Sequence, residues 1–260
     1  MASIEIPQVN GAVFDLDESL LSNMRINRTS GVAENVHTST QVEAIHHVAG
    51  GAHEQLRDLT VAEAHKISQK IDVRTIANVV RQIFRNAGID QRHDAEELQL
   101  EILEHQQELY TKWLKNEAEP VKGALEFITK LADRHDIHQQ MALQTSAKFE
   151  HAAIFLDRHD LLRLIPYNRM FTLESVNHPK PDPEVNNLAF ASLGLPESER
   201  QNVHDFDDDP IRGIGSILAA NLVAVGVVNE FSVDDFMSQP NPPRYAGDYE
   251  QLSMIYDLAV

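Results

Sequence analysis

Asp15 and Asp17 stand one residue apart, directly after the short apolar run Ala12-Val13-Phe14. Alternation along a strand puts both carboxylates on one side as the chain leaves a sheet. Two acids crowded there repel each other unless a cation or a shared proton offsets the charge. The bland alternative is an ordinary turn, in which Asp side chains accept nearby backbone N–H groups. Partners lie further along. Thr145 and Ser146 follow the stretch Gln140 to Gln144, Lys180 opens Lys180-Pro181-Asp182-Pro183, and Asp207-Asp208-Asp209 run into Pro210. Carboxylate oxygens suit Mg²⁺, a hydroxyl and an ammonium suit phosphate oxygens, and a carboxylate can serve as a covalent nucleophile. The chemistry this set fits is phosphoryl transfer.

Hydrophobic period and punctuation supply the elements that must carry these groups. The first apolar run reads as a strand. From about residue 23 to 119 the chain is helical in character, with three- and four-residue apolar spacings over Val42 to Ala49, Thr60 to Ile71, Val73 to Arg85 and Glu96 to Leu114. Asn86-Ala87-Gly88 is a helix stop, Asp94 with Glu97 a capping start, and no β-rich run is expected in this block. Past Pro120 helix and strand alternate. Helices are expected at Gly123 to Arg134, Lys148 to His159, Pro183 to Leu193 and Pro210 to Ala220. Strands are expected at Gln140 to Gln144, Arg169 to Leu173, Asn202 to Phe206 and Leu222 to Val228.

That repetition predicts an α/β fold, a doubly wound Rossmann-like parallel sheet core interrupted by an inserted α-helical domain. The division is 1–22 with 120–260 for the core and 23–119 for the insert. The tail with Pro240, Pro242 and Pro243 reads as a loop, ending in a short last helix. In such sheets ligand chemistry belongs at the carboxyl ends of the strands, where Asp15, Asp17, Thr145 and Asp207-Asp208 fall, with Lys180 in the loop after the third strand.

Composition narrows the function classes. The chain has 260 residues and a net charge of −18, which argues against nucleic acid and against anionic membrane surfaces as partners. No apolar run reaches the roughly 18 residues of a membrane span, and Met1 to Ile6 does not read as a signal peptide. With no cysteine there are no disulfides and no thiolate chemistry, and a cytoplasmic location is the default expectation. The thirteen histidines are scattered, so solvated or capping roles are expected rather than a metal site. Gly213 and Gly215 lie inside an expected helix and lack a third glycine, which excludes a dinucleotide loop. Asp209 reads as a helix cap before Pro210.

Taken in order, the motifs resemble those of the haloacid dehalogenase superfamily of phosphotransferases, in particular members with a helical cap inserted after the first motif. Asp15-Leu16-Asp17-Glu18-Ser19 matches the first motif with its last position altered. Thr145, with Ser146 beside it, matches the second, Lys180-Pro181-Asp182-Pro183 the lysine motif, and Asp207-Asp208-Asp209-Pro210 the fourth. The resemblance covers nearly the whole chain and points to the beta-phosphoglucomutase and phosphoglycolate phosphatase branch. It implies Asp15 as nucleophile, Asp17 as general acid and base, and Thr145 and Lys180 on the phosphoryl oxygens. It also implies Mg²⁺ held by the Asp15 carboxylate, the Asp17 carbonyl and Asp208, with Asp207 a further direct or water-mediated ligand.

Hydrolysis of a small phosphomonoester is therefore expected, by a monomer or weak homodimer. A sugar-phosphate mutase and a catalytically silent binding protein are the alternatives. In the mutase branch a cap loop grips a second phosphate. Here the nearest stretch is Ala49 to Glu54, giving Gly51, His53 and, one turn on, Arg57 as candidate substrate contacts, against the plain reading of a helix-to-helix turn. Three residues depart from the pattern. Glu18 stands where relatives often carry glycine and either points outward or repels an anionic substrate. Ser19 replaces Thr or Val. His204 and Asp205 interrupt an otherwise apolar strand without an evident reason.

Overall fold

The computed structural model describes residues 6–26, 33–51, 53–71 and 76–258, with the side chain of residue 55 excepted. The expected start of the third helix at 73–75, Ala52 of the cap loop and the first five residues lie outside the described residues. The chain divides into two compact units, Met1–Ser22 with Glu119–Val260, and Asn23–Ala118.

In the first unit six parallel strands form one sheet, in the order Tyr245–Gly247, Val223–Val227, Val203–Asp207, Gly11–Phe14, Met141–Gln144, Met170–Phe171. Gly11–Phe14 is central, flanked by Val203–Asp207 and Met141–Gln144. A sheet of this kind is covered on both faces, and its strands are mostly apolar. On one face Val13, Ala142 and Ala224 pack with Ala189 and Phe190 of helix Glu184–Ser192 and Ile214 and Ile217 of helix Arg212–Ala219. On the other, Phe14 stacks on Phe206 at 4.7 Å between ring centroids. Phe127 of helix Ala124–His135 meets Phe206 edge-on, and also meets Tyr249 and Tyr256.

Of the polar residues in strand Val203–Asp207, His204 and Asp205 take opposite faces, as alternation requires. His204 goes to the aromatic face, where its Nδ1 lies 2.6 Å from the Tyr256 hydroxyl. Asp205 goes to the helix face, where Asn186 and Gln144 donate to it. Each therefore has a buried partner, which accounts for the interruption of the apolar run.

The tail departs from its expected loop. Tyr245–Gly247 adds a parallel sixth strand beside Val223–Val227, and helix Tyr249–Ile255 follows, capped by Asp248. The prolines lie just upstream of this strand, whose sheet pairing is long-range. The expected strand at Arg169 to Leu173 shrinks to Met170–Phe171, flanked by short 3₁₀ turns. A two-residue antiparallel pair, Leu21–Ser22 with Glu119–Pro120, adds to the expected strands.

The second unit is built on helices Val36–Val48, Glu54–Arg57, Val61–Ser68, Ile76–Asn86 and Ala95–Asn116. Their apolar faces meet in a core of Val42, Ile45, Leu56, Val80, Phe84 and Ile102 among others. Thr60 and Glu63 form a reciprocal capping box at the start of the third of these helices. Gly88 ends the helical turn after Asn86 at φ +70°, which a glycine takes without strain. Two expectations are corrected. Met24–Ile26 pairs antiparallel with Ala33–Asn35, so the unit is not free of β-structure. Asp94 precedes its helix without capping it, because its carboxylate is taken by Arg92.

Candidate active site

Strand register brings the distant carboxylates together. Phe14 aligns with Phe206 in the parallel pair, and the Asp15 N–H donates to the Phe206 carbonyl at 2.8 Å, so Asp15 and Asp207 sit side by side at the strand ends. Lys180 reaches both. Its Nζ lies 2.8 Å from Asp15 Oδ1 and 2.7 Å from Asp207 Oδ2, with all three side chains buried. The loop carrying Lys180 is pinned by Glu184, whose carboxylate accepts the backbone N–H groups of Asn177 and His178.

Asp207 is fully engaged. Its Oδ2 also accepts from Gln144 Nε2 at 3.1 Å, and its Oδ1 accepts the Asp209 N–H at 2.9 Å. Gly213 makes this possible, since a Cβ at that position would overlap the Asp207 carboxylate. Asp208 is half-buried, and its carboxylate accepts no hydrogen bond among the described residues. Asp209 Oδ1 accepts the N–H groups of Ile211 and Arg212, so it does cap the helix that follows.

The turn after Asp15 is tight. Leu20 and Leu21 both donate to the Leu16 carbonyl, Glu18 N–H donates to the Leu21 carbonyl, and the Tyr249 hydroxyl donates to the Ser19 carbonyl. Asp17 is half-buried within this turn. Glu18 does not point outward. It is buried, takes φ +56°, and accepts from Asn229 Nδ2 at 2.6 Å. Ser19 is buried with its hydroxyl unpartnered among the described residues.

Thr145 is buried at the end of its strand, and its Oγ1 accepts the Ala147 N–H at 3.0 Å, while Ser146 is exposed. Gly51, His53 and Arg57 belong to the second unit. There Arg57 Nε donates to the Gly50 carbonyl at 3.4 Å, and His53 is buried with Nε2 unpartnered among the described residues.

Electrostatics follow from the crowding. Burial pushes the Asp15 carboxyl well up, Lys180 pulls it down, and Asp207 and Asp17 push it up again. Asp208 is raised by burial, then by Asp207 and Asp15. Burial disfavours the Lys180 ammonium, but Asp15 and Asp207 outweigh it and hold the proton on. Burial also lifts Asp205 to about 7, against hydrogen bonds from Asn186 and Gln144. One ammonium thus faces several carboxylates, and the excess negative charge with an uncommitted Asp208 is a donor set that fits a hard divalent cation.

Sequence reasoning passed over Gln144, Asn186, Gly213 and Asn229. Gln144 carried a readable signal, a polar residue closing an apolar strand just before Thr145. The other three act through contacts that only folding brings about.

No curated protein matches the sequence at a significant level. Solved structures match across nearly the whole chain. A candidate beta-phosphoglucomutase from Thermotoga maritima superposes with a TM-score of 0.65 at 19% identity, covering 96% of this chain and 98% of its own. A candidate phosphoglycolate phosphatase from Haemophilus somnus gives 0.70 at 15% identity, covering 96% and 99%. A candidate haloacid dehalogenase hydrolase from Bacillus subtilis, bound to magnesium, gives 0.60 at 16% identity, covering 96% and 99%. These likenesses show a shared fold. The model of the haloacid dehalogenase-like hydrolases matches residues 12–227, from the first strand to the fifth strand of the sheet. The chain belongs to the haloacid dehalogenase-like hydrolase family.

Proposed function

We propose that the protein hydrolyses a small phosphomonoester, with Asp15 as nucleophile and Asp17 as general acid and base. The observation that carries this reading is the Lys180 ammonium bridging Asp15 and Asp207 at 2.8 and 2.7 Å, at the carboxyl ends of two central strands. Two structural neighbours described as a phosphoglycolate phosphatase and a beta-phosphoglucomutase, each at candidate level, support the substrate class.

In the first step an Asp15 oxygen bonds to phosphorus while the bond from phosphorus to the ester oxygen breaks. Asp17 gives its proton to the departing oxygen. In the second step Asp17 takes a proton from water, the water oxygen bonds to phosphorus, and the Asp15–phosphorus bond breaks to release phosphate. Lys180 and Thr145 bind the non-bridging oxygens, where charge builds up. The Asp15 and Asp208 carboxylates and the Asp17 carbonyl would hold Mg²⁺, whose chemistry is to neutralise the phosphoryl oxygens and lower repulsion of the attacking carboxylate. Asp207, with both oxygens engaged, serves this reading as the holder of Lys180.

The test is turnover of a phosphomonoester panel with Mg²⁺, alongside Asp15→Asn. Phosphate release by the native protein and none by the variant is expected. Activity retained in Asp15→Asn would refute the nucleophile. Interconversion of sugar 1- and 6-phosphates faster than phosphate release would favour a mutase.

A further inference from the structure

Below the Lys180 bridge runs a buried chain of polar side chains that the proposed reaction does not use. Asn186 Nδ2 donates to Asp205 Oδ2 at 2.8 Å. The other carboxylate oxygen, Asp205 Oδ1, accepts from Gln144 Nε2 at 3.3 Å, and that nitrogen also donates to Asp207 Oδ2 at 3.1 Å. Asn186, Asp205 and Gln144 are each 0% exposed. Burying three polar side chains is costly where apolar ones would pack; their mutual hydrogen bonds offset that cost and make the network rigid.

What it orients is legible in Gln144. Its amide nitrogen serves two carboxylates, while Oε1 has no donor among the described residues. Turned over, Oε1 would face two carboxylate oxygens, so the pair Asp205 and Asp207 dictates the amide direction. Gln144 in return fixes Asp207 Oδ2, the oxygen that holds Lys180. If that hold weakens, the ammonium settles on Asp15 instead and ties up the attacking carboxylate.

We propose that Asp205, acting through Gln144, is a positioning residue that keeps the Asp207 carboxylate turned toward Lys180. The kinetic consequence rests on the phosphoryl-transfer reading above, whereas the positioning itself does not.

The experiment compares Asp205→Leu, Gln144→Met and the double variant on an ester that the native enzyme hydrolyses with Mg²⁺. Each single variant should lower kcat about tenfold or more with KM nearly unchanged. The double variant should be no slower than Gln144→Met, because Asp205 has no route to Asp207 without Gln144. Asp205→Asn keeps an acceptor for Gln144 and gives Asn186 Oδ1 a donor, so its kcat should return to within about threefold of the native value. Losses that multiply in the double variant, or a native kcat in Asp205→Leu, overturn the proposal.

A second readout needs no turnover. Acetic anhydride labelling of Lys180, followed by mass spectrometry, should speed up several-fold in Asp205→Leu and Gln144→Met alike. Unchanged Lys180 reactivity in folded variants overturns the proposal. If the native protein hydrolyses no ester, the reaction reading fails and the labelling still decides the positioning. If Asp205→Leu does not fold, Asn186→Leu and Gln144→Met carry the labelling test.

Discussion

Gly213 and Asp207 occupy one space between them, because a β-carbon on Gly213 would lie inside the Asp207 carboxylate. Gly213, which belongs to no dinucleotide loop, is thus the seat of the carboxylate that holds Lys180. Gly213→Ala should push Asp207 off Lys180. A displacement of about 1 Å at such a site costs on the order of a hundredfold in turnover, and overpacking costs about 1–3 kcal/mol in stability. Steady-state kinetics and urea unfolding check both, and an unchanged kcat would contradict the placement.

Lys180→Met should leave Asp15 and Asp207 buried without their shared cation. Removing one partner of a buried charge cluster costs about 3–5 kcal/mol. The loss should shrink in acid, because burial raises the Asp15 carboxyl and lets it take up a proton once the ammonium is gone. Thermal melts of the native and variant proteins in metal-free buffer at pH 7 and pH 4.5 read this. A variant equally destabilised at both pH values would contradict it.

His204 sets part of the acid limb of stability. Burial lowers its pKa from 6.5 to about 3, and the Arg244 and His135 charges act in the same direction. The unfolded chain takes up that proton near 6.5 and the folded one only near 3. The stabilisation is therefore complete above about pH 6.5 and is lost as pH falls toward 3. Over the full span the linkage amounts to about 5 kcal/mol, and to about 2 kcal/mol between pH 6.5 and 5. His204→Gln, which cannot protonate, should show a flatter fall in urea midpoint between pH 7 and 5 than the native protein.

Glu18 is held by Asn229 at 2.6 Å in a left-handed backbone conformation. Asn229→Ala removes a hydrogen bond to a buried carboxylate, at a cost of about 1.5–3 kcal/mol. Glu18→Gly loses the same bond but removes the buried carboxylate and relieves left-handed strain of about 1 kcal/mol. Glu18→Gly should therefore be the less destabilised of the two by chemical denaturation. The reverse order would show that Asn229 does not set the stability of this turn.

Mg²⁺ should raise the melting temperature of the native protein. At a concentration about a hundredfold above Kd the gain is about 2.7 kcal/mol. Asp208→Asn should lose most of that shift. An equal shift in the variant would remove Asp208 from the ligand set.

The sheet core was legible because its signals are local. Apolar runs such as Leu222 to Val228 and amphipathic helices such as Gly123 to Arg134 are fixed by residues a few positions apart. The tail strand Tyr245–Gly247 was not, since it is a strand only through pairing with Val223–Val227. Likewise Met24–Ile26 and Ala33–Asn35 carry no strong alternation and exist through each other. The candidate site divides in the same way. Asp15, Lys180 and Asp207 stood out because their charge is chemically distinctive and falls at strand ends or in the loop that follows one. Gly213 and Asn186 did not, because a glycine or an amide in a helix acquires meaning only from what lies against it.

By itself, the order of residues determined the alternation of strand and helix, the delivery of carboxylates and a hydroxyl to the ends of strands, and that of a lysine to a following loop. Periodicity and side-chain chemistry are properties of short segments, and they survive without a partner. Tertiary structure alone decided that one ammonium joins Asp15 to Asp207, and that His204 and Asp205 part to opposite faces of the sheet. It also turned Glu18 inward onto Asn229. These are relations between residues up to 211 positions apart. Strand register and burial set them, and both arise only when the whole sheet has closed.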